Sequence, residues 1–250
     1  MGDTEWPSKL PTNTSFPPVS IVTPTYNRRQ FLPVLFQSIC DQTYPLERLE
    51  WVILDDGSDS VADLIPGFQA KLNVLYIRHD GEKLSIGEKR NRIHAAARGA
   101  ILVCMDDDDF YCAERVKHAV QMLQRSKKDI AGSSRNFLFF TDDKSVWETG
   151  PYFANHATFG TMAFTKAYAR KHLCDVTVTH AEEIGFTNRY TEPLCQLDPY
   201  KVMLVLCHTM NTFSKHKLRL EPNPMFRRTD IKLKAFVRNA KLREFYTSIG

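Results

Sequence analysis

The sequence predicts an α/β domain built on a mostly parallel central sheet that is flanked by helices. Three observations lead to this prediction. The 250 residues suit one such domain, apolar runs of strand length alternate with helical patterns, and three of those runs end abruptly in polar loops. In sheets of this kind, ligands bind beyond the carboxyl ends of the strands. We therefore expect one binding site at the edge where the polar loops meet.

The first elements follow an irregular leader, which is expected over residues 1–17 because they are rich in Pro, Ser and Thr. The α/β domain is predicted to occupy residues 18–215. An apolar run at 19–22 predicts a buried strand, since it stops at the polar sequence Thr-Pro-Thr-Tyr-Asn. The segment 29–42 places apolar residues on one helical face, which predicts a helix.

The next elements repeat this alternation. A second strand is predicted at 49–54, where the apolar run ends abruptly at Asp-Asp-Gly-Ser, and a third at 74–77. Residues 86–98 read as a helix that Gly99 closes. A fourth strand at 100–105 leads directly into four aspartates. These strand ends carry the polar loops of the expected site.

The C-terminal part of the chain is less regular but strongly basic. The clearest late strand is predicted at 201–207, and an amphipathic helix at 231–246 within a basic extension, 216–250. Residues 215–250 contain ten Lys or Arg and three Asp or Glu, a net +7, whereas the whole chain carries +4. Such a tail could touch a phosphate-rich acceptor, an anionic membrane surface or nucleic acid. A solvated helix and linker is the alternative.

The composition indicates what class of protein this is and in which compartment we expect it. No window holds the roughly 18 uncharged apolar residues that a membrane-spanning helix needs, and the N-terminus lacks the basic start and apolar run of a signal peptide. The six cysteines show no CxxC pair, and free thiols in a reducing compartment are expected. We therefore expect a cytoplasmic protein, and peripheral membrane contact and the oligomeric state stay open.

The run Asp106 to Asp109 is the strongest chemical feature of the sequence. Four adjacent carboxylates repel one another, so an ordered cluster needs a counter-charge. Hard divalent cations such as Mn²⁺ or Mg²⁺ prefer oxygen ligands and supply that charge. The alternatives are an exposed acidic turn, or a cap for a helix that begins near Ala113. Because an apolar strand directs the run to the sheet edge, a metal site is the favoured interpretation.

Four sequence blocks, in order and at the expected spacing, resemble the inverting family 2 glycosyltransferases of the GT-A fold. The blocks are Val-Ser-Ile-Val-Thr-Pro-Thr-Tyr-Asn-Arg at 19–28, Asp-Asp-Gly-Ser at 55–58, Gly-Glu-Lys-Arg-Asn at 87–91 and the four aspartates. The resemblance covers 18 to about 115, and continues less specifically to about 215. It implies a GT-A, Rossmann-like domain with a C-terminal helical tail, which transfers a sugar from a nucleotide-diphosphate sugar.

The resemblance implies roles for single residues around the donor. It assigns nucleotide-sugar binding to Thr23, Pro24, Thr25, Tyr26, Arg28, Asp56, Arg90, Asp106 and Asp107. Thr25 and Tyr26 would lie against the base and ribose. Asp56 would accept a hydrogen bond from the base, which in this family is often uracil. Turn formation by Asp-Asp-Gly-Ser is the alternative role for Asp56.

The family often places a basic residue near the diphosphate, on the helix that corresponds to 86–98. Lys89 and Arg90 match that position, and their side chains suit an anion. A solvated helical face is the alternative. Asn91 also follows the family pattern and is expected to shape the local structure.

A divalent metal, Mn²⁺ or Mg²⁺, is also implied. Asp106 and Asp108 match the family's DxD pair, with Asp108 as the direct ligand and Asp106 nearer the ribose. His208 follows the late strand and resembles a His-x-x-Asn block that supplies an imidazole to the metal or diphosphate. A structural role is the alternative for His208, and His216 is the second candidate.

Inversion requires a base that removes the proton of the acceptor hydroxyl as its oxygen attacks. Glu182-Glu183 resembles the family's acidic pair, and its second position, Glu183, matches the base. The family usually has Asp there, so Glu183 is one methylene longer; a surface pair is the alternative. Residues 159–162 resemble a segment beside the donor sugar, where Gly160 would allow close approach. A plain turn is the alternative.

We therefore expect a metal-dependent transferase that uses a UDP-sugar or a related donor, with a glycan, lipid or protein as acceptor and no specific nucleic acid as partner. A nucleotidyltransferase of related fold is a second hypothesis, although its usual Gly-rich basic loop is replaced here by Thr-Pro-Thr-Tyr-Asn. A non-catalytic nucleotide- or anion-binding module is the third, and it predicts a dispensable acidic run and binding that falls steeply with salt.

Overall fold

The computed structural model describes residues 6–178, 180–211, 215–220 and 223–249, and in these residues twelve strands form two sheets. The strands are β1 (Val19–Thr25), β2 (Leu49–Asp55), β3 (Asn73–Arg78), β4 (Ile101–Cys104), β5 (Phe110–Tyr111), β6 (Ile130–Gly132), β7 (Asn136–Phe140), β8 (Ser145–Thr149), β9 (Ala163–Thr165), β10 (Leu194–Gln196), β11 (Met203–Cys207) and β12 (Phe226–Arg228).

The central sheet has the strand order β10-β6-β9-β4-β1-β2-β3 in the described residues. β1 runs parallel to β2 and β4, β2 parallel to β3, and β6 parallel to β10, whereas β9 runs antiparallel to both of its neighbours. This confirms the predicted mostly parallel sheet. The carboxyl ends of β1, β2 and β4 lie at one edge, so the polar loops that follow them meet there.

The second sheet has the order β12-β8-β7-β11-β5 in the same described ranges. β7 and β11 are parallel, and the other pairs are antiparallel. The late strand predicted at 201–207 is β11, two residues shorter at its start. It belongs to this second sheet, beside the four aspartates, rather than to the central one.

Helices cover both sheets. They are α1 (Leu32–Cys40), α2 (Ile65–Gln69), α3 (Ile86–Ala96), α4 (Arg115–Ser126), α5 (Lys166–Lys171), α6 (Glu183–Phe186) and α7 (Ala240–Ser248). The hydroxyl of Ser85 accepts the Glu88 N–H at 3.1 Å and so caps α3 at its start. In the described ranges, no helix has both the length and the apolar character required to cross a membrane.

The core is most complete around β1 and β2, whose residues are all buried. Glu50 lies within β2 and is fully buried, and its carboxylate accepts hydrogen bonds from the Ser20 hydroxyl at 2.6 Å and the Arg98 Nε at 2.5 Å. These partners offset the cost of placing a charge inside an apolar strand. All six cysteines are free thiols, as expected.

The C-terminal helix predicted at 231–246 is wrong in its first half. Leu233–Ala235 form only a 3-10 turn, and α7 begins after Asn239, whose side chain accepts the N–H groups of the next helical residues. Asn is a strong helix N-cap, which explains the new start. The tail also packs on the second sheet, with Val237 and Tyr246 buried, which a solvated helix does not explain.

Candidate active site

A cleft of about 770 Å³ opens at the carboxyl edge of the central sheet and reaches the second sheet. Its inner half is formed by the loops after β1 and β4 and by the start of α3. Its outer half is formed by residues of β7, β8, β11 and β12 and by the chain before α6. Among the residues named in the sequence analysis it brings together Pro24, Thr25, Tyr26, Arg28, Lys89, Arg90, Asp106, Asp107, Asp108, Asp109, Gly160, Glu182 and Glu183.

The four aspartates after β4 have four different environments. Asp107 accepts the Thr25 hydroxyl at 2.7 Å, and Asp109 accepts the Leu206 N–H of β11 at 2.8 Å. Burial, followed by the charge of Asp108, raises the pKa of both carboxyls, that of Asp107 to about 8. Asp109 therefore ties the run to the second sheet. It does not cap α4, whose N-cap residue is Glu114.

Asp106 is held by Arg90, which also holds Glu182. The Arg90 Nη1 and Nη2 atoms donate to the two Asp106 oxygens at 3.0 and 3.3 Å, and its Nε donates to Glu182 at 2.6 Å. All of Arg90 is buried, and its guanidinium lies 4.0 Å from the Phe159 ring centroid. One arginine thus fixes the acidic run relative to the glutamate pair.

Three polar side chains contact one oxygen of Asp108, Oδ2. Arg28 forms an ion pair with it, Asn211 Nδ2 donates to it at 3.2 Å, and His208 Nε2 lies 3.3 Å away. Burial opposes ionisation of Asp108, but His208 and Arg28 outweigh it and lower its pKa. His208 is buried and stacks on Phe31. The second candidate, His216, lies instead beside Asp142, 3.2 Å from its carboxylate.

The residues at Asp108 fit a divalent cation that arrives with a diphosphate. No group of three or more His, Cys, Asp or Glu side chains in the described part of the chain could hold a metal by itself. Mg²⁺-like ions in nucleotide sites need only one or two carboxylates, because phosphates and waters complete the coordination. Asp108 supplies the carboxylate, and His208 Nε2 points to the same oxygen. The Nδ1 atom of His208 accepts the Met210 N–H at 3.2 Å, so Nε2 carries the proton in this arrangement.

Glu183 differs from its neighbour Glu182. Glu182 is buried against Arg90, whereas no Lys or Arg of the described residues forms an ion pair with Glu183. Burial, followed by the charge of Glu182, raises the pKa of Glu183 to about 7. Glu183 faces the same cleft as the aspartates. A partly buried carboxylate with a near-neutral pKa is suited to general-base chemistry.

The loop after β1 forms the end of the cleft assigned to the nucleotide. Pro24, Thr25 and Tyr26 line it, but Thr23 does not. The Thr23 hydroxyl donates to the Met105 carbonyl at 2.7 Å and accepts the Trp51 indole N–H at 2.9 Å. Thr23 is fully buried, so its side chain joins β1, β2 and β4 beneath the site.

Asp56 is engaged by the protein on both of its oxygens. Lys89 Nζ donates to one at 2.8 Å and the Leu84 N–H to the other at 2.9 Å. Asp56 is buried, and Lys89 and Leu84 stand between it and the open cleft, which they line. Lys89 lines the cleft, is buried and is paired with Asp56, so the solvated helical face is wrong for it, and its diphosphate contact stays a prediction.

Two further residues were named in the sequence analysis, Gly160 in the cleft lining and Asn91 outside it. Gly160 lies in a 3-10 turn, where an added Cβ would sit 3.2 Å from Asp106 Oδ2 and 3.3 Å from Met203. This close approach explains the glycine. Asn91 binds the backbone of Cys174 through both ends of its amide, which agrees with the structural role expected for it.

Sequence reasoning missed Lys83 and the outer half of the cleft. Lys83 Nζ lies 4.2 Å from the centroid of the Tyr26 ring, and in the described part of the chain it has no ion pair. In the sequence, the one feature that pointed to Lys83 as a site residue was its position in a polar loop between a strand and a helix. The outer half of the cleft includes Asn136, Leu138 and Tyr152, which come from segments where the sequence pattern is weak.

The sequence matches the model of one known protein family. The model of the family described as "Glycosyl transferase family 2" matches residues 20–216. The poly(ribitol-phosphate) beta-N-acetylglucosaminyltransferase TarS of Staphylococcus aureus strain Mu50 is 27% identical over 112 residues, which are 44% of this chain and 20% of TarS. The aligned part thus spans about a fifth of that relative.

Solved structures share the fold. The structure of S. aureus TarS 1–349 in complex with UDP-GlcNAc superposes with a TM-score of 0.61 at 19% identity, over 77% of this chain and 59% of that one. The mannosyltransferase PcManGT of Pyrobaculum calidifontis, in complex with GDP-Man and Mn²⁺, gives 0.62 at 16% identity, over 78% and 59%. At these identities the likeness concerns the architecture of the two sheets and their helices.

Proposed function

The chain belongs to glycosyl transferase family 2, and on that premise we propose that it transfers a sugar from a nucleotide-diphosphate sugar to an acceptor hydroxyl, with inversion at the anomeric carbon. A UDP-sugar is the favoured donor. The observation that carries the proposal is the pairing, in one cleft, of an arginine-bound acidic run with Glu183, whose pKa is about 7. Proteins of the same fold that were solved with UDP-GlcNAc and with GDP-Man support a donor of this class.

The inner half of the cleft is the proposed donor site. Tyr26 and Thr25 lie against the base and ribose. Arg28 and Arg90 lie near the diphosphate, where a guanidinium provides forked hydrogen bonds and a fixed charge. Asp56 acts on the base end by holding Lys89 in place. A base that contacts Asp56 directly must displace Lys89 or the Leu84 N–H.

Asp108 is the proposed ligand of Mn²⁺ or Mg²⁺. His208 would be the second donor in its other tautomer, in which Nδ1 carries the ring proton, Nε2 is free and the hydrogen bond from the Met210 N–H is given up. When bound, such an ion neutralises charge on the departing diphosphate. PcManGT, which has the same fold, was solved with Mn²⁺. Arg28 already neutralises Asp108 in this structure, so a cation entering the site must share or displace that ion pair.

Glu183 is the proposed base. Its carboxylate takes the proton of the acceptor hydroxyl while that oxygen forms a bond to the anomeric carbon. The bond between the anomeric carbon and the diphosphate oxygen breaks in the same displacement, and the nucleoside diphosphate leaves with the electron pair. Arg90 holds the Glu182 carboxylate in place, and burial together with the charge of Glu182 raises the pKa of Glu183.

A panel of nucleotide-sugars tests the function. Each donor is incubated with Mn²⁺, with and without EDTA, and release of free nucleoside diphosphate is measured. We expect metal-dependent release from one donor, because water acts as a slow acceptor. The Asp108→Asn variant should release nucleoside diphosphate at least about 100-fold more slowly, because a metal at the leaving group stabilises the transition state by several kcal/mol.

The matched control is Asp142→Asn, which changes a more exposed aspartate paired with Arg219 away from the cleft. It should release nucleotide at the rate of the unaltered chain. Release that is equal in both variants, or absent for every donor, contradicts the proposed function.

A further inference from the structure

The outer end of the cleft continues into an exposed aromatic surface that the donor chemistry does not use. We call Tyr152, Phe153, His156 and Tyr190 the aromatic shelf. Their ring centroids lie 4.6 Å apart for Tyr152 and His156, 5.0 Å for His156 and Tyr190, and 5.3 Å for Phe153 and Tyr190. Tyr152 is 43% and Phe153 54% exposed. Large apolar side chains grouped at a surface in this way are typical of binding sites.

The backbone holds the shelf in place. The Gln196 amide donates to the carbonyls of Ala154 and His156 at 2.8 and 2.9 Å, which fixes the loop that carries three of the rings. Gly150 enters this loop with φ +80°, and a Cβ there would collide with the Ser134 carbonyl. The loop is therefore ordered by specific hydrogen bonds and a required glycine.

Tyr190 reaches the shelf through strained backbone. Asn188, Arg189 and Tyr190 are three consecutive residues in the left-handed region, with φ of 48°, 56° and 60°. Such conformations are costly for side chains larger than glycine, and they concentrate at functional sites. The strain presents the Tyr190 ring to His156 and Phe153 at the surface.

The shelf begins next to the proposed base. Tyr152 lines the same cleft as Glu183, and its hydroxyl is 2.6 Å from that of Thr149. Burial, followed by the charges of Glu183 and Glu182, raises the pKa of Tyr190 to about 12, as expected for a hydroxyl near that pair. A molecule that lies along the shelf and past Tyr152 therefore enters the cleft that Glu183 also lines.

We propose that the aromatic shelf binds the acceptor, and that the acceptor is a saccharide chain of more than one sugar unit. This inference rests on the proposed function. A sugar ring has an apolar C–H face and hydroxyl edges. The shelf offers ring faces for the former, and the Asn136 amide, with the hydroxyls of Thr149 and Thr158, offers hydrogen bonds for the latter.

Two other acceptors match the shelf less well. A lipid chain needs apolar walls alone, and the hydroxyls and amide would lose their water without gaining a partner. A single small acceptor would fill the cleft beside Tyr152 and would not use Phe153, which lies outside it. An extended saccharide uses both parts.

Saturation-transfer NMR with chitotetraose, cellotetraose and maltotetraose as probes tests the shelf. At least one chain should receive saturation at its ring protons from the unaltered protein. The signal should fall at least about fivefold in Tyr152→Ala and Phe153→Ala, because each removes one stacking face. Tyr200→Ala is the matched control: Tyr200 is a tyrosine 49% exposed outside the cleft, and its removal should leave the signal unchanged. Thermal unfolding of each variant verifies that it is folded.

Three results overturn the proposal: no signal from any chain, a signal that survives both substitutions, or binding to phosphatidylglycerol vesicles that both substitutions weaken. Calorimetry of UDP and GDP with the unaltered protein and Mn²⁺ tests the donor site separately. If one nucleotide binds and no saccharide does, only the acceptor assignment is wrong. If neither nucleotide binds, the proposed donor chemistry is wrong whatever the shelf binds.

Discussion

The two halves of the cleft are built in different ways. In the inner half, acidic and basic side chains are paired within the protein: Arg28 with Asp108, Lys89 with Asp56, and Arg90 with Asp106 and Glu182. The outer half is formed mainly by aromatic and apolar side chains and a few hydroxyls and amides; its charged residues include Lys215 and Glu182, and Arg90 ties Glu182 to the inner half. The inner half is thus organised by charge, and the outer half by shape and ring faces.

This difference indicates what each half can bind. Charges held in fixed positions inside a low-dielectric cleft cost little reorganisation when a charged ligand enters, which suits a diphosphate. Uncharged rings with hydroxyls nearby suit a neutral, amphipathic ligand. Glu183 lines the same cleft and directly follows Glu182, which Arg90 binds, so a base at this position is open to ligands in the cleft.

The largest expected effect is that of Glu183→Gln, which keeps the shape and removes the base. Donor turnover should fall by about 10²–10⁴-fold. In the unaltered chain the rate should rise with pH through about 7, because Glu183 must be ionised and its pKa is about 7. A pH–rate profile checks both. Glu192→Gln, at a partly exposed glutamate outside the cleft lining, is the control and should keep the profile.

The same variant should be more stable at high pH. The pKa of Glu183 is raised from 4.5 to about 7 on folding, so its ionisation penalises the folded state; the penalty is absent below 4.5, grows up to pH 7 and is complete above it. Removing it should increase the free energy of unfolding by roughly 1–3 kcal/mol at pH 8. A loss of stability in Glu183→Gln would show that Glu183 is a structural residue.

Arg90→Ala tests the paired charges of the inner half. It leaves Asp106 and Glu182 charged without their shared partner, and breaking a buried pair in this way costs about 3–5 kcal/mol. Arg92→Ala, on the same helix, removes an exposed pair with Glu88 and should cost less than about 0.5 kcal/mol. Urea unfolding measures both. Equal costs would contradict the distinction between the buried network and the helix surface.

Lys83→Ala should have the smallest effect. Lys83 lies over Tyr26 without an ion pair in the described residues, so its loss should weaken UDP binding about two- to fivefold, as for an exposed cation–π contact of about 0.5–1 kcal/mol. Lys71→Ala, at an exposed lysine outside the cleft, should leave the affinity unchanged. A loss of 100-fold would place Lys83 on the diphosphate instead.

The inner half could be predicted from the sequence because its chemistry depends on residue types at strand ends. Asp106, Asp108 and Arg90 lie where the blocks after β4 and in α3 placed them, and they meet because parallel strands share one carboxyl edge. Packing changed the details: the side chains of Thr23 and Asp56 lie beneath the cleft lining, where Trp51 and Lys89 bind them.

The outer half could not be predicted because it depends on contacts between distant segments. β5 and β12 have two and three residues, too few for a pattern, and Phe226 joins the sheet only through its pairing with β8. The rings of the shelf come from residues 152 to 190, and they meet through the Gln196 bonds and the left-handed backbone before Tyr190. The N-cap of α7 likewise lies at Asn239, eight residues after 231, where periodicity alone predicted the helix to begin.

Calorimetric titration of UDP and GDP into the unaltered chain, with Mn²⁺ and then with EDTA, tests the central claim most directly. If the inner half is a donor site, one of the two nucleotides should bind with Mn²⁺, and its affinity should fall at least tenfold when EDTA removes the ion, because Asp108 then meets the diphosphate without a cation between them. Absence of binding for both nucleotides with Mn²⁺ would contradict the assignment of this cleft to a nucleotide-sugar.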